Sequence, residues 1–223
     1  MTANAQTGYF KPLSFGLGYG VTLAQAGEQT LTSSNAADFN FNYHFTPFTS
    51  VSIETQIGTL TSGDKLHDTF AKQFTNNYIS VLTHADIQLG EFIDYSHSPF
   101  LNGIKNFYAG IGVGVLLNNI TDIQTVNRDT TETAPLTYTP TSVNLLIPIR
   151  LGYEFKIFNR YDEPAIRFDI NYSFNTAFGS GLDGYTSIYS HPFVKFYNYV
   201  SVGLKYCFGP TRSYRKQIYY NEF

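Results

Sequence analysis

Hydrophobic and polar residues alternate along most of this chain. From residue 13 to 23, Leu13, Phe15, Leu17, Tyr19, Val21 and Leu23 take one parity, and Ser14, Gly16, Gly18, Gly20 and Thr22 take the other. A period of two is that of a β-strand whose faces meet different surroundings. The pattern recurs in eight runs, at 13–23, 37–45, 51–58, 79–89, 107–117, 143–155, 166–175 and 199–209. Runs of about 9 to 13 residues suit strands that cross a bilayer at a tilt, whereas soluble strands are usually nearer 5 or 6. The connections alternate too. Segments 24–36, 61–77, 118–142 and 176–192 are long and rich in Thr, Ser, Asn, Asp and Gly, while "TPF" and "NRYDEP" are short. The join "FIDYSHSPFLNGIKN" breaks this rule, being too long for a simple turn.

The two parities differ in chemistry. One collects Asp38, His44, Glu54, His84, Asp86, Arg150, Glu154, Arg167, Asp169 and Lys205 with many Gly, Ser and Asn; the other is almost free of ionisable groups. A water-facing surface carries abundant Lys and Glu, and glycines at 16, 18, 20, 110, 112 and 114 would only weaken exposed strands. Inside a narrow eight-stranded barrel the same glycines leave room for long charged side chains. The polar parity is therefore expected to face a lumen, where five acids, three bases and two histidines must pair because unpaired buried charge is costly. The aliphatic parity then faces lipid. Lys205 needs a carboxylate, with Glu54 and Asp169 as candidates. Tyr43, Phe45 and Phe48, then Tyr153, Phe155 and Phe158, then Tyr206 and Phe208, fall where interfacial girdles would lie.

Composition agrees. The 223 residues are 14% charged and 17% aromatic, with 18 Tyr, 20 Phe and no Trp. A net charge of −3 gives no reason to expect a nucleic-acid partner. No run approaches the 18 apolar residues of a spanning helix. The single Cys207 excludes an internal disulfide and a multi-cysteine metal site. Ala3-Asn4-Ala5 followed by Gln6 has the small-x-small form of an export-signal cleavage site.

With the strand meander, the polar inward parity and the final run "YVSVGLKYCF", the chain resembles small outer-membrane β-barrels of the OmpA-like transmembrane-domain type, as found in Bacteroidetes. The resemblance covers roughly residues 8–209. It implies an all-β fold, an eight-stranded antiparallel up-and-down transmembrane β-barrel in the bacterial outer membrane, with both termini periplasmic. It implies outer-membrane lipid, both lipopolysaccharide and phospholipid, as surroundings. It also makes Tyr206 and Phe208 the terminal signal read by the barrel-assembly machinery. The chain departs from that pattern by continuing past Phe208 with "GPTRSYRKQIYYNEF", and the peptidoglycan attachment of full-length relatives is not implied for residues 1–223. Residues 1–7 are expected to be the remnant of an export-signal region, 8–209 the barrel and 210–223 a periplasmic tail. Arg212, Arg215 and Lys216 in that tail could touch a periplasmic partner.

The expected lumen network is His44, Glu54, His84, Asp86, Arg150, Glu154, Arg167, Asp169 and Lys205. His84 and Asp86 share one face, with His44 on a neighbouring strand, so general-base or metal chemistry is conceivable there. No G-x-S-x-G nucleophile motif accompanies them and no third placed ligand does either. "GSGLDGY" has too few oxygen ligands for calcium, and His67, His97 and His191 lie in connections. No catalytic group, metal or cofactor is expected. The expected function is non-enzymatic: a structural or partner-binding membrane barrel with a plugged lumen, for which a place as a subunit of a larger outer-membrane complex is open. The rivals are a lipid-modifying enzyme of the same architecture, and a soluble lipocalin-like barrel that would keep its aliphatic residues inside.

Overall fold

A computed structural model of the chain describes residues 6–25, 32–63, 73–124, 137–138, 140–179, 181–182, 185–186 and 194–216. The Ala3-Asn4-Ala5 pattern, His67, His191 and most of the long connections lie outside the described residues. In chain order the strands are β1 (Gln6–Phe10), β2 (Leu13–Gln25), β3 (Ser33–His44), β4 (Thr49–Ser62), β5 (Gln73–Gln88), β6 (Phe107–Gln124), β7 (Thr137–Tyr138), β8 (Thr141–Phe158), β9 (Pro164–Phe178), β10 (Tyr185–Thr186), β11 (Val194–Phe208) and β12 (Arg212–Lys216). Eight of them close an antiparallel barrel in the order β11-β2-β3-β4-β5-β6-β8-β9. The seam joins the first barrel strand to the last, from Leu13 opposite Phe208 to Gln25 opposite Phe196. The pair β7–β10 decorates the long-loop end, and β1–β12 forms a separate ribbon at the turn end.

The apolar parity points outward. Leu17 (63% exposed), Ile111 (62%), Leu204 (57%) and their neighbours form a continuous belt around a wall that has no free edge. On β6 the belt runs from Phe107 to Leu117, where Asn119 and Thr121 take over the outer face. That is about 33 Å of strand, or about 25 Å of height at a tilt near 40°, the apolar height of a barrel that spans a membrane. Asn35 on β3, Thr59 on β4, Asn77 on β5, Thr141 on β8, Thr176 on β9 and Asn198 on β11 take outer positions at the same end. A soluble ligand-binding barrel has the opposite orientation. The strands are longer than their alternating runs, 18 residues for β6 and β8. Above the belt both faces are polar or mixed, so the ladder continues where hydropathy no longer alternates.

Pro148 lies inside β8. It has no N–H to donate, and the register between β6 and β8 skips from Ile111–Ile149 to Gly114–Leu146, while the β9 side stays paired through Pro148–Asn175.

The lumen is layered. Toward the loop end, Ala24, Leu60, Phe74, Tyr78, Leu82, Leu116, Leu146, Leu182, Tyr197 and Tyr199 belong to one buried apolar cluster. Toward the turn end the interior is charged. At the turn end itself, the long join between β5 and β6 folds into a 3₁₀ turn over Leu89–Glu91 and a short helix α1 (Pro99–Ile104). Pro99 opens α1, and the Ser98 hydroxyl caps it by accepting from the Leu101 N–H at 3.4 Å. Phe48 departs from the girdle expected of it. It is buried, edge-on to Tyr95 (5.6 Å) and Tyr214 (6.1 Å), because the β1–β12 ribbon folds over the turn that carries it. Tyr43–Phe45 (4.9 Å), Phe107–Tyr153 (4.7 Å), Tyr153–Phe155 (4.6 Å) and Phe15–Phe208 (6.0 Å) make an outer aromatic ring at this end.

Candidate functional site: the charged lumen network

The sheet register aligns small residues with large charged ones. Gly16 of β2 lies opposite Lys205 and Asn40, Gly18 opposite Asp38, and on β6 Gly110 lies opposite both Asp86 and Arg150. A Cβ at Gly16 would come within 2.6 Å of the Asn40 side-chain oxygen and 2.8 Å of Lys205 Cγ, and one at Gly110 would overlap the Asp86 carboxylate. The glycine parity is thus the imprint of long side chains reaching across from neighbouring strands.

Two linked clusters result. In the first, Arg150 Nη1 donates to Glu54 Oε2 at 2.6 Å, and Arg150 Nε lies 3.6 Å from Asp86 Oδ1. His84 sits between the same two carboxylates, Nε2 at 3.3 Å from Glu54 and Nδ1 at 3.1 Å from Asp86. In the second, Glu154 accepts from Arg167 Nη1 (2.9 Å), Gln88 Nε2 (3.0 Å) and Lys205 Nζ (3.4 Å). Lys205 also lies 3.4 Å from Asp169. Directly opposed pairs in this region carry like charge, Glu154 with Asp169 and Lys205 with Arg167. Such pairs repel on their own. The diagonal contacts Arg167–Glu154 and Lys205–Asp169 neutralise them, which ties three strands into one unit.

All nine residues of the expected network are buried inside the barrel. Lys205 takes Asp169 and Glu154, while Glu54 is committed to Arg150 and His84. His44 stands apart from His84 and Asp86. Its Nε2 meets Ser14 Oγ at 3.0 Å, and its Nδ1 faces Arg167 Nη1 at 3.4 Å. The three-ligand metal reading is not assembled, and among the described residues no group of three His, Cys, Asp or Glu side chains could hold a metal. Ser14–His44 resembles a nucleophile–base pair. A working base needs its second ring nitrogen oriented by a carboxylate or carbonyl, whereas His44 presents that nitrogen to a guanidinium, and Ser14 is fully buried.

Reading the sequence missed several members. Lys156 extends the inward parity of Arg150 and Glu154 by one step, and its ammonium donates to Gln88 Oε1 and the Pro47 carbonyl, each at 2.7 Å. Lys195 shares the parity of Lys205 and is buried beyond the run read as the last strand. Among the described residues, Asp38, Glu54, Asp86, Glu154 and Asp169 therefore share the interior with Arg150, Lys156, Arg167, Lys195 and Lys205, an even balance. Tyr108 donates from the glycine-rich β6 toward Asp169 (3.3 Å) and Asn171 (3.2 Å), and Cys207 accepts from Arg167 Nε at 3.2 Å. Continuing the parity past the end of the run 143–155, and back before the start of the run 199–209, would have found both lysines.

No protein-family model matches the chain, and no curated protein sequence does. Among solved structures it is similar to Neisserial surface protein A at 11% identity and a TM-score of 0.49, over 90% of this chain and 99% of that one. It is similar to Ail, the attachment invasion locus protein of Yersinia pestis, at 14% identity and a TM-score of 0.44, over 90% and 99%. It is also similar to the outer membrane protein OprG from Pseudomonas aeruginosa at 14% identity and a TM-score of 0.42, over 90% and 98%. At these identities the chain's architecture rests on its own strand pairing.

Proposed function

We propose that this chain is a non-enzymatic barrel of the bacterial outer membrane, sealed along its axis, that works by presenting surface to partners. The observation that carries this reading is the inversion of the barrel: an aliphatic and aromatic belt outside, charge inside. Interlocked ion pairs at the turn half and a buried apolar cluster at the loop half support a closed lumen, because long side chains from opposite walls fill both layers. His84, the residue best suited by type to catalysis, is 3% exposed and held between two carboxylates, which supports a structural role.

In this reading the even strand number puts both termini on the periplasmic side, the long connections face outward, and lipopolysaccharide and phospholipid surround the belt. Tyr206 and Phe208 of the last strand serve as the terminus recognised by the barrel-assembly machinery, and the chain is a subunit of a larger outer-membrane complex. Purification from native membranes in mild detergent, followed by mass spectrometry, tests the partner. Co-recovery of a stoichiometric protein is expected, and recovery as a lone monomer would overturn the complex. Ion conductance of the purified barrel in a planar bilayer would overturn the seal, and deacylation of lipid A that disappears in His84→Ala would overturn the non-enzymatic reading.

A further inference from the structure

The turn end carries a second polar site, which touches the lumen network only through Lys156, whose ammonium donates to Gln88 Oε1 and to the Pro47 carbonyl. A cavity of about 580 Å³ opens between the β1–β12 ribbon, the segment after α1 and the turns at 47–48 and 158–164. Its walls are aromatic, built from Phe48, Tyr95 and Tyr214. Two ammonium groups converge on it. Lys105 Nζ sits 4.6 Å over the Tyr95 ring and donates to Asn102 Oδ1 at 2.6 Å, and Lys156 Nζ sits 4.4 Å over the Phe48 ring. Neither lysine has a carboxylate within ion-pair distance among the described residues, although Asp162 lines the rim. Burial alone lowers the affinity of Lys105 for its proton, the condition of a cation short of an anion. Asn106 lines the same cavity at 8% exposure, and its side-chain oxygen finds no donor among the described residues.

Cations without anions, an acceptor without a donor and aromatic walls together describe the missing partner. It carries an anion, an N–H and an apolar body. Two further observations favour a peptide. Among the described residues the ribbon is two-stranded, so β1 has one edge unpaired there, and Gly8 and Tyr9 of β1 line the cavity. An extended segment can add to such an edge while its terminal carboxylate is captured at the end. The volume also exceeds what a single side chain fills and lies in the range of built ligand sites.

We propose that this cavity receives the C-terminal carboxylate of an extended peptide ending in an apolar residue. Lys105 and Lys156 hold the carboxylate, Asn106 accepts a peptide N–H, and Phe48, Tyr95 and Tyr214 enclose the last side chain. The inference goes beyond the reading of the barrel as a sealed partner-binding protein. It needs the turn end to be accessible but does not depend on which side of the membrane that end faces.

The test uses the full chain folded in detergent micelles, with a dye-labelled pentapeptide ending in phenylalanine as the probe and fluorescence anisotropy as the readout. The free-acid peptide is expected to bind at least tenfold more tightly than the same peptide amidated at its C-terminus. Lys105→Met and the near-isosteric Asn106→Asp should each weaken the free acid at least tenfold, with folding checked by migration on cold SDS gels. Equal binding of acid and amide to the unaltered chain, or no binding of either, overturns the proposal whether or not the variants fold. N-acetylphenylalanine supplies the carboxylate and ring without a strand. If it matches the pentapeptide in affinity, the site takes small carboxylates and the peptide assignment fails.

Discussion

Glu154 is the carboxylate on which the turn-half network depends. Arg167 is 1% exposed and has Glu154 as its one carboxylate partner among the described residues; Lys205 has both Glu154 and Asp169. The substitution Glu154→Gln keeps the shape and removes the charge. Arg167 is then a buried guanidinium without an anion, and removing one partner of a buried pair costs about 3–5 kcal/mol. Asp169→Asn removes a similar charge but leaves Lys205 paired with Glu154, so its cost should be smaller by about 2 kcal/mol or more. Replacing the pair together, Glu154→Gln with Arg167→Met, removes the orphan and should recover most of the loss. Because the chain has no Trp, unfolding in urea from lipid vesicles is best followed by far-UV circular dichroism and by band shift on cold SDS gels. A loss below about 1 kcal/mol for Glu154→Gln, or equal losses for Glu154→Gln and Asp169→Asn, would refute the argument, since either outcome means that solvent screens the interior.

Further outcomes follow from the same geometry. Ile111→Arg, in the middle of the outer belt, should cost about 2–4 kcal/mol of folding into vesicles, and Asn119→Arg, beyond the belt on the same strand, about 0–1 kcal/mol; similar costs would show that the belt does not end at Leu117. Gly110→Leu drives a side chain into the Asp86 carboxylate, so it should lower the folded yield and cost about 1–3 kcal/mol, whereas Gly103→Ala in α1 meets open space and should be neutral by the same gel assay. The Glu163 carboxyl accepts from Thr211 Oγ1 (2.6 Å) and from Asn159 Nδ2 (3.1 Å), with Lys11 at 3.9 Å, and these hold it below the usual carboxylate range. A depressed folded value stabilises above the unfolded value of about 4.3 and is lost as pH falls through the folded one. Limited proteolysis between the last barrel strand and the ribbon should therefore accelerate below about pH 4, and Glu163→Gln should abolish that acceleration; an unchanged pH profile in the variant would break the link.

The sequence by itself determined the number of barrel strands, their inside and outside faces and the membrane-spanning belt. Each depends on a period of two, and a one-residue slip would reverse every face, so the pattern of Leu17, Tyr19 and Val21 against Gly16, Gly18 and Gly20 has one consistent reading. It also marked the residues of the charged interior, because charge on an otherwise small, polar face has to be buried. Only the tertiary structure decided which charges meet. Pairing depends on register, and register brought Glu154 to Arg167 diagonally, sent Glu54 to Arg150, and took His44 away from His84 toward Ser14. The buried apolar cluster of Leu82, Leu116 and Leu146 was hidden for a related reason: each lies on a polar parity, and its apolar neighbours come from other strands. The ribbon that joins Gln6–Phe10 to Arg212–Lys216 unites residues some 200 positions apart. Neither segment alternates strongly enough to announce a strand; closure of the barrel brings both to the same end, where their backbones pair.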